Sequence, residues 1–349
     1  MNLFFELLQV SLGTREELSR VPTDAEWSTL LEVVRGQFIL GVMFGGLERL
    51  PDNQRPSDDN DVLSYWIGWT QMAEMDAQRN HKRALELSSI VHNAGYDNSV
   101  LKGVAVARYY PKLYRREYND IDLWVKGNRK DFISWLGGKY TITHDVWHNT
   151  GVEVFDDVPV EIHFHPGWLW NPWHNRRLQR WFDSYWIKAE EDERLGLRVM
   201  PLEFDAVYSL VHTFRHLVAE GIGFKQLIDY FYILKQVNAE GLELRTKTLD
   251  TICCLGLGKF TSALMWVFHR VFGMSSEELL CEPDEKEGRF LMRQVMSAGE
   301  PVDKEENKSD FAKSLERRKL MVSHYPNEAR WMIPWKIWHW CWRKLYAVR

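Results

Sequence analysis

Apolar positions change period twice along this chain. Over the first ninety residues they recur at helical spacing. Residues 3–12 read as an apolar helix, and Thr23 with Glu26 forms a capping box ahead of Trp27, Leu30 and Leu31. Residues 37–49 continue helically and carry Gly41, Gly45 and Gly46, which permit close packing. A polar loop over 51–59 precedes a long helix over 61–92, which Gly95 is placed to end. From Ser99 the period shortens to two. Val100-Leu101 predicts a strand, then a helix over 104–110 that stops at Pro111. Ile121, Leu123 and Val125 alternate in a second strand, a helix follows over 130–136, and residues 141–147, 151–155 and 158–165 predict three more strands. Asp156-Asp157 turns the last pair into a hairpin. From Leu202 the helical period returns, over 206–218 and 224–234 with Gly221-Ile222-Gly223 between them, and again within 245–280. The pattern predicts an α+β chain in three parts: an N-terminal helical region (1–95), a sheet-bearing core (96–201) and a C-terminal helical region (202–349).

Composition narrows the picture. A chain of 349 residues can bury a sizeable core, and 45% hydrophobic with 27% charged residues is the balance of a folded protein. A net charge of −5 supplies no basic field, which argues against a long nucleic acid as partner. Cys253, Cys254, Cys281 and Cys341 make neither a C-x-x-C pair nor a disulfide framework. The run Met1-Asn2-Leu3-Phe4-Phe5-Glu6 lacks a basic leader, and no stretch reaches the length of a membrane span. Together these features point to the reducing cytoplasm.

The candidate chemistry lies in the strands. Side chains two apart on a strand share a face, so Asp120 and Asp122 project together. Two adjacent carboxylates repel, and a divalent cation between them removes the repulsion. Hard oxygen donors suit Mg²⁺, which completes its shell with water and substrate phosphates. A lone D-x-D is common on solvated strands, so its weight comes from its flanks. Lys102-Gly103 stands at a strand-to-helix turn, where glycine lets backbone N–H groups approach a phosphate and the helix start favours an anion. Lys102 reads either as a phosphate contact or as a surface lysine. Arg116 could grip a phosphate with its planar fork, or pair structurally with Asp120 or Glu117. Glu161, His163 and His165 alternate along one strand and so share a face.

The series L-K-G, R-x-x-x-D-I-D-L-x-V and V-E-I-H, within residues 98–165, resembles the uncharacterised nucleotidyltransferase family of bacteria. That family belongs to the DNA polymerase β-like nucleotidyltransferase superfamily. The similarity continues more weakly through His212, His216 and Asp229. It implies a nucleotidyltransferase-like mixed β-sheet with helices, flanked by helical regions. It also implies transfer of a nucleoside monophosphate from an NTP, ATP foremost, to an acceptor. By the match, Glu161 is the third metal-site acid beside Asp120 and Asp122. The three would hold two Mg²⁺ ions for in-line attack on the α-phosphate, with Glu161 accepting the proton. Lys102, Gly103, Arg116, His163 and Lys225 would contact the nucleotide. Most superfamily members carry Gly-Gly or Gly-Ser where this chain has Lys102-Gly103, and the 17 residues from Gly103 to Asp120 exceed the usual spacing. The three carboxyl groups are expected to converge in an open cleft between the sheet and the helices after residue 202, with Lys102 and Gly103 at its rim.

Two other functions fit the same residues. One is a non-catalytic, nucleotide-binding regulatory protein. The other is a metal-dependent hydrolase with Glu161, His163 and His165 as transition-metal ligands. The acceptor cannot be chosen from the fold. The aromatic loop 166–173 reads as a ring-stacking pocket or as a packed lid, and the charged run over 301–319 as a solvated loop and helix start. The last twenty residues hold Trp331, Trp335, Trp338, Trp340 and Trp342 with Lys336, Arg343 and Lys344. They suit either a membrane surface or docking on the body, and Pro334, as the breaker of any long helix, favours docking.

Overall fold

Seven short strands form one mixed sheet in the computed structural model, which describes residues 3–57, 61–297 and 310–347. The strands are β1 (Asn98–Leu101), β2 (Ile121–Val125), β3 (Thr141–Asp145), β4 (Asn149–Glu153), β5 (Val160–His163), β6 (Glu190–Asp192) and β7 (Leu197–Val199). Their order is β3-β4-β5-β2-β1-β7-β6, so the D-x-D strand β2 sits at the centre. It runs antiparallel to β1 and parallel to β5. This is the mixed α+β architecture that the periodicity and the resemblance imply.

Both faces of β2 are covered, which is why the strand reads as nearly all apolar. Ile121, Leu123 and Val125 pack with Ala77, Ala84, Leu87 and Val91 of helix Val62–Asn93 and with Phe132 and Leu136 of helix Arg129–Gly137. Trp124 faces the other way, edge-on to Phe182 and stacked on Phe204 at 5.7 Å. Phe204 belongs to helix Leu202–Ala219, which turns Phe204, Val207, Leu210, Val211, Phe214, Leu217 and Val218 into the core. These residues sit three and four apart, the stripe of an amphipathic helix. The even positions of β2, Asp122 included, therefore face the helices after residue 202.

The N-terminal helices join the same core through close backbone contacts. Thr23 and Glu26 form the expected capping box at helix Asp24–Gly36. The long helix ends at Asn93, with Gly95 at φ +88° just beyond. In helix Leu40–Arg49, a methyl group on Gly41 would collide with the Arg115 carbonyl, and one on Gly46 with Ser11. A methyl group on Gly45 would meet open space. Glu117 accepts hydrogen bonds from the N–H groups of Leu40 (2.5 Å) and Gly41 (3.4 Å), which caps this helix from 76 residues away.

Two local expectations shift. The helix after β1 is Lys102–Ala107, starting two residues early and stopping short of Tyr110. Pro334 does not interrupt the tail: it lies in the first turn of helix Met332–Tyr346, where proline's missing N–H costs nothing. Of the charged run, residues 301–309 lie outside the described residues, and the chain resumes as helix Asp310–Val322. Among the described residues no helix is long and apolar enough to cross a membrane.

The glycine contacts can be checked directly. Gly41→Ala should destabilise the protein by about 1–3 kcal/mol, since the clash is with backbone that cannot rotate away. Gly45→Ala should be neutral or stabilising by up to about 1 kcal/mol. Urea denaturation of the two variants measures both, and equal losses would show that the helix does not pack as described.

Candidate active site

The register of the central strands assembles the acids. Asp122 pairs with Glu161 across the parallel β2–β5 ladder and with Leu101 across the antiparallel β1–β2 ladder. Residues paired across a ladder point to the same face. Asp120 precedes the strand by one residue. Ile121 N–H bonds the Pro159 carbonyl at 3.0 Å, which holds that start against β5. Leu101 is followed at once by Lys102, in the left-handed region at φ +47°. A side chain there costs about 1 kcal/mol or more. The turn aims the Lys102 ammonium back over β2, and Nζ reaches Asp122 Oδ1 at 2.7 Å.

The same oxygen takes a second donor. His163 Nε2 lies 2.7 Å from Asp122 Oδ1 and 3.4 Å from Glu161 Oε2. A carboxylate oxygen accepts only, so Nε2 carries the proton. Asn149 donates to Glu161 Oε2 at 2.7 Å. Asp122 is 2% exposed, whereas Asp120, Glu161 and Lys102 are half-buried. The expectation of an open cleft thus needs amending at Asp122, which lies at the floor with Lys102 over it.

Charge sets the protonation states. Burial alone would raise Asp122, but Lys102 and His163 overcome it and hold the carboxyl well below the usual range. Burial also opposes ionisation of Glu161, yet the His163 hydrogen bond and Lys102 bring it down to about 2. Asp120 moves the other way, raised by the charge of Asp122 and then by burial. Burial would lower Lys102, but Asp122, Glu161 and Asp120 hold its ammonium above the ordinary value. Burial and Lys102 likewise oppose the charge on His163, and its bonds to Asp122 and Glu161 raise its pKa.

These groups line one cavity of about 420 Å³, the size of a small-molecule site. It brings together Lys102, Gly103, Arg116, Asp120, Asp122, Glu161, His163 and Lys225, with His212, His216 and Asp229. Arg116 makes neither of the bridges expected for it. Its fork grips Asp229 instead, Nε to Oδ1 at 2.8 Å and Nη2 to Oδ2 at 2.7 Å, and Tyr110 donates to the same carboxylate at 2.6 Å. A methyl group on Gly103 would lie 3.0 Å from Tyr118 Cβ and 3.1 Å from Arg116 Nη1, tight contacts that favour glycine. His165 stands apart. β5 ends at His163, and the His148 carbonyl accepts both Phe164 N–H and His165 N–H, which swings the chain out of its pleat. His165 bonds Gln179 at 2.9 Å and stacks on Trp147. The trio Glu161, His163 and His165 is therefore not assembled.

The metal-capable group among the described residues is Asp122, Glu161 and His163, whose ligand atoms lie within 4.8 Å of one another. With its Nε2 proton given to Asp122, His163 holds that carboxylate, and its buried Nδ1 has no hydrogen-bond partner among the described residues. The remaining donors are carboxylate oxygens, with Asp120 beside them, and an ammonium already sits among them as a counter-charge. That set fits a hard divalent ion such as Mg²⁺.

A family model described as uncharacterised nucleotidyltransferase matches residues 23–273. The chain belongs to that family. Membership supports a transferase-like enzyme that moves a nucleotidyl group. A comparison with curated proteins found no match.

Several cavity residues escaped the sequence reading: His148, Asn149, Tyr208, Ser209, Glu220 and Gln226. Arg215 was legible as a neighbour of His212, three residues on along one helix face. Asn149 needed the β4–β5 register, which pairs it with His163.

The ion pair makes a stability test. Lys102→Met leaves the acids without their nearest cation and should cost about 3 kcal/mol in EDTA. Added Mg²⁺ should recover part of that loss, and denaturation showing no loss would mean that the pair is not formed. A second test uses acid. Glu161 sits lower in the folded chain than its ordinary 4.5. Its contribution is therefore complete above pH 4.5 and is lost as pH falls toward about 2. Glu161→Gln should flatten that part of the stability profile.

Proposed function

We propose that this chain transfers a nucleoside monophosphate from an NTP, with ATP the first candidate, to a hydroxyl-bearing acceptor. The observation that carries the reading is the convergence of Asp120, Asp122, Glu161 and Lys102 in one cavity of a family member. In this reading Asp120, Asp122 and Glu161 would hold Mg²⁺, which when bound supplies charge neutralisation of the triphosphate and a more acidic acceptor hydroxyl.

The chain's own groups do the rest. Gly103 keeps the wall beside Lys102 free of a side chain, so phosphate oxygens can approach Lys102 and Lys225. Burial and then Arg116 weaken the hold of Lys225 on its proton, and Asp229 and Asp120 partly restore it. An anionic phosphate would favour the charged form further. His163 holds the carboxylate of Asp122, and Asn149 that of Glu161, before substrate arrives. The acceptor oxygen forms a bond to the α-phosphorus as the bond to pyrophosphate breaks. Glu161 would take the hydroxyl proton.

One observation favours the non-catalytic alternative: the Lys102 ammonium already occupies the cation's place at Asp122. Two measurements separate the readings. MgATP at a hundredfold excess over its Kd should stabilise the protein by about 2.7 kcal/mol. The double variant Asp120→Asn/Asp122→Asn should lose most of that shift. Incubation of cell extract with ATP labelled in the α-phosphate should then give a labelled product that the double variant does not make. Binding without any labelled product would favour the regulatory role. No thermal shift with any NTP and divalent ion would sink both readings.

A further inference from the structure

Beyond the acids the cavity holds a second set of polar groups, one of them a guanidinium, that the transfer reading leaves unused. Arg215 lies on helix Leu202–Ala219 and lines the cavity with His148, His212 and His216. It is largely buried, yet it makes no hydrogen bond or ion pair with the described residues, and its Nε is wholly without a partner. Its guanidinium lies 4.7 Å above the Trp168 ring, which is stacked in turn on Trp335 at 4.4 Å. The cation–π contact holds the guanidinium over the ring without using its N–H donors. His148 stands beside it, 6.0 Å from Trp168 and 6.5 Å from His163 by ring centroids, and His212 Nδ1 is also unpartnered. A buried guanidinium without an acceptor is costly, and an anion in the cavity would remove the cost.

The two cationic ends of the cavity are distinct. Lys225 interacts with Arg116, Asp229, Asp120 and Glu117, on the Gly103 side of the acids. Arg215 interacts with Tyr208, Glu220, Glu161 and Asp122, on the β4–β5 side. Displacement at phosphorus puts the leaving group and the incoming oxygen on opposite sides of the atom attacked. With the triphosphate running toward Gly103, Lys102 and Lys225, the acceptor enters from the other side.

We infer that Arg215, with His148 and His212, forms an acceptor subsite that binds an anionic group, a phosphate or a carboxylate, of the molecule to be modified. The inference rests on the transfer reading above for its direction. The bare anion subsite does not.

The test titrates inorganic phosphate, and separately acetate, into the full-length protein with and without a saturating non-hydrolysable ATP analogue and Mg²⁺. Phosphate and acetate represent the two sources of negative charge, and the stronger binder names the acceptor's group. The expected result is binding that persists with the analogue present and weakens about tenfold or more in Arg215→Gln, while affinity for the analogue stays within about twofold. Arg215→Lys should recover only part, since the bidentate fork is lost. If the analogue competes with the small anion, and Arg215→Gln weakens the analogue, then Arg215 grips the triphosphate. The inference then fails while the transfer reading stands. If the anion binds in an Arg215-dependent way but no nucleotide binds, the transfer reading fails while the anion subsite stands. Absence of anion binding to wild-type protein at 20 mM, or binding unaltered in Arg215→Gln, overturns the inference. The competition arm uses wild-type protein alone, so it holds even where the variants fold poorly.

Discussion

Asp122 is a carboxylate with almost no contact with water, and the centre of the molecule is arranged around making that tolerable. An isolated buried charge would take up a proton, at a cost of several kcal/mol. Here one oxygen receives both the Lys102 ammonium and the His163 N–H, each at 2.7 Å. Those two donors come from opposite neighbours of β2. Lys102 follows β1, and His163 ends β5. The compensation therefore exists only once three strands are in register. Sheet assembly and ionisation of the site are one event, and the left-handed turn at Lys102 is the local strain accepted to complete it.

What could be read beforehand follows the same logic. The alternation in Ile121, Leu123 and Val125 was enough to place Asp122 on one face. The Glu161-x-His163 pattern was enough to place a partner strand, because strand geometry is set within four or five residues. The partners of the cations were not legible. Arg116 meets Asp229 across 113 residues of sequence, and no local rule joins a loop before β2 to a helix beginning at Phe224. His165 illustrates the opposite limit. Period two placed it with Glu161 and His163, but the pleat ends at His163, where the His148 carbonyl captures the next two N–H groups. Periodicity says which way a side chain points only while the strand lasts.

One face of the tail docks on the body of the protein. Trp335 stacks on Trp168 and packs edge-on to Trp147, so the last helix closes over the aromatic loop 166–173. The loop in turn carries the ring beneath Arg215. Only the inner face of the helix is engaged, since Ile337, Trp340 and Leu345 remain exposed. Pro334 permits this because it falls where a helix has no N–H to lose. A single residue type thus supports opposite expectations, depending on whether the helix begins before it or at it.

The pairing of charges shows which groups of the cavity remain for a ligand. Lys102 and Asp122 offset each other at the floor, and Arg116 and Asp229 do so at one side. Glu220 is taken by His216, at 3.0 Å. What remains is unbalanced in space. Asp120 and Glu161 stand at the centre, Lys225 toward Gly103, and Arg215 toward the aromatic loop. Excess negative charge between two separated positive groups suits a ligand set of inverse pattern, cations at the middle and anions at both ends. A metal-bound polyphosphate satisfies one end and the middle. The other end stays positive, and a neutral acceptor would leave it so. Because a guanidinium removed from water gains most from a charged acceptor of its hydrogen bonds, the imbalance itself selects against uncharged molecules at that end.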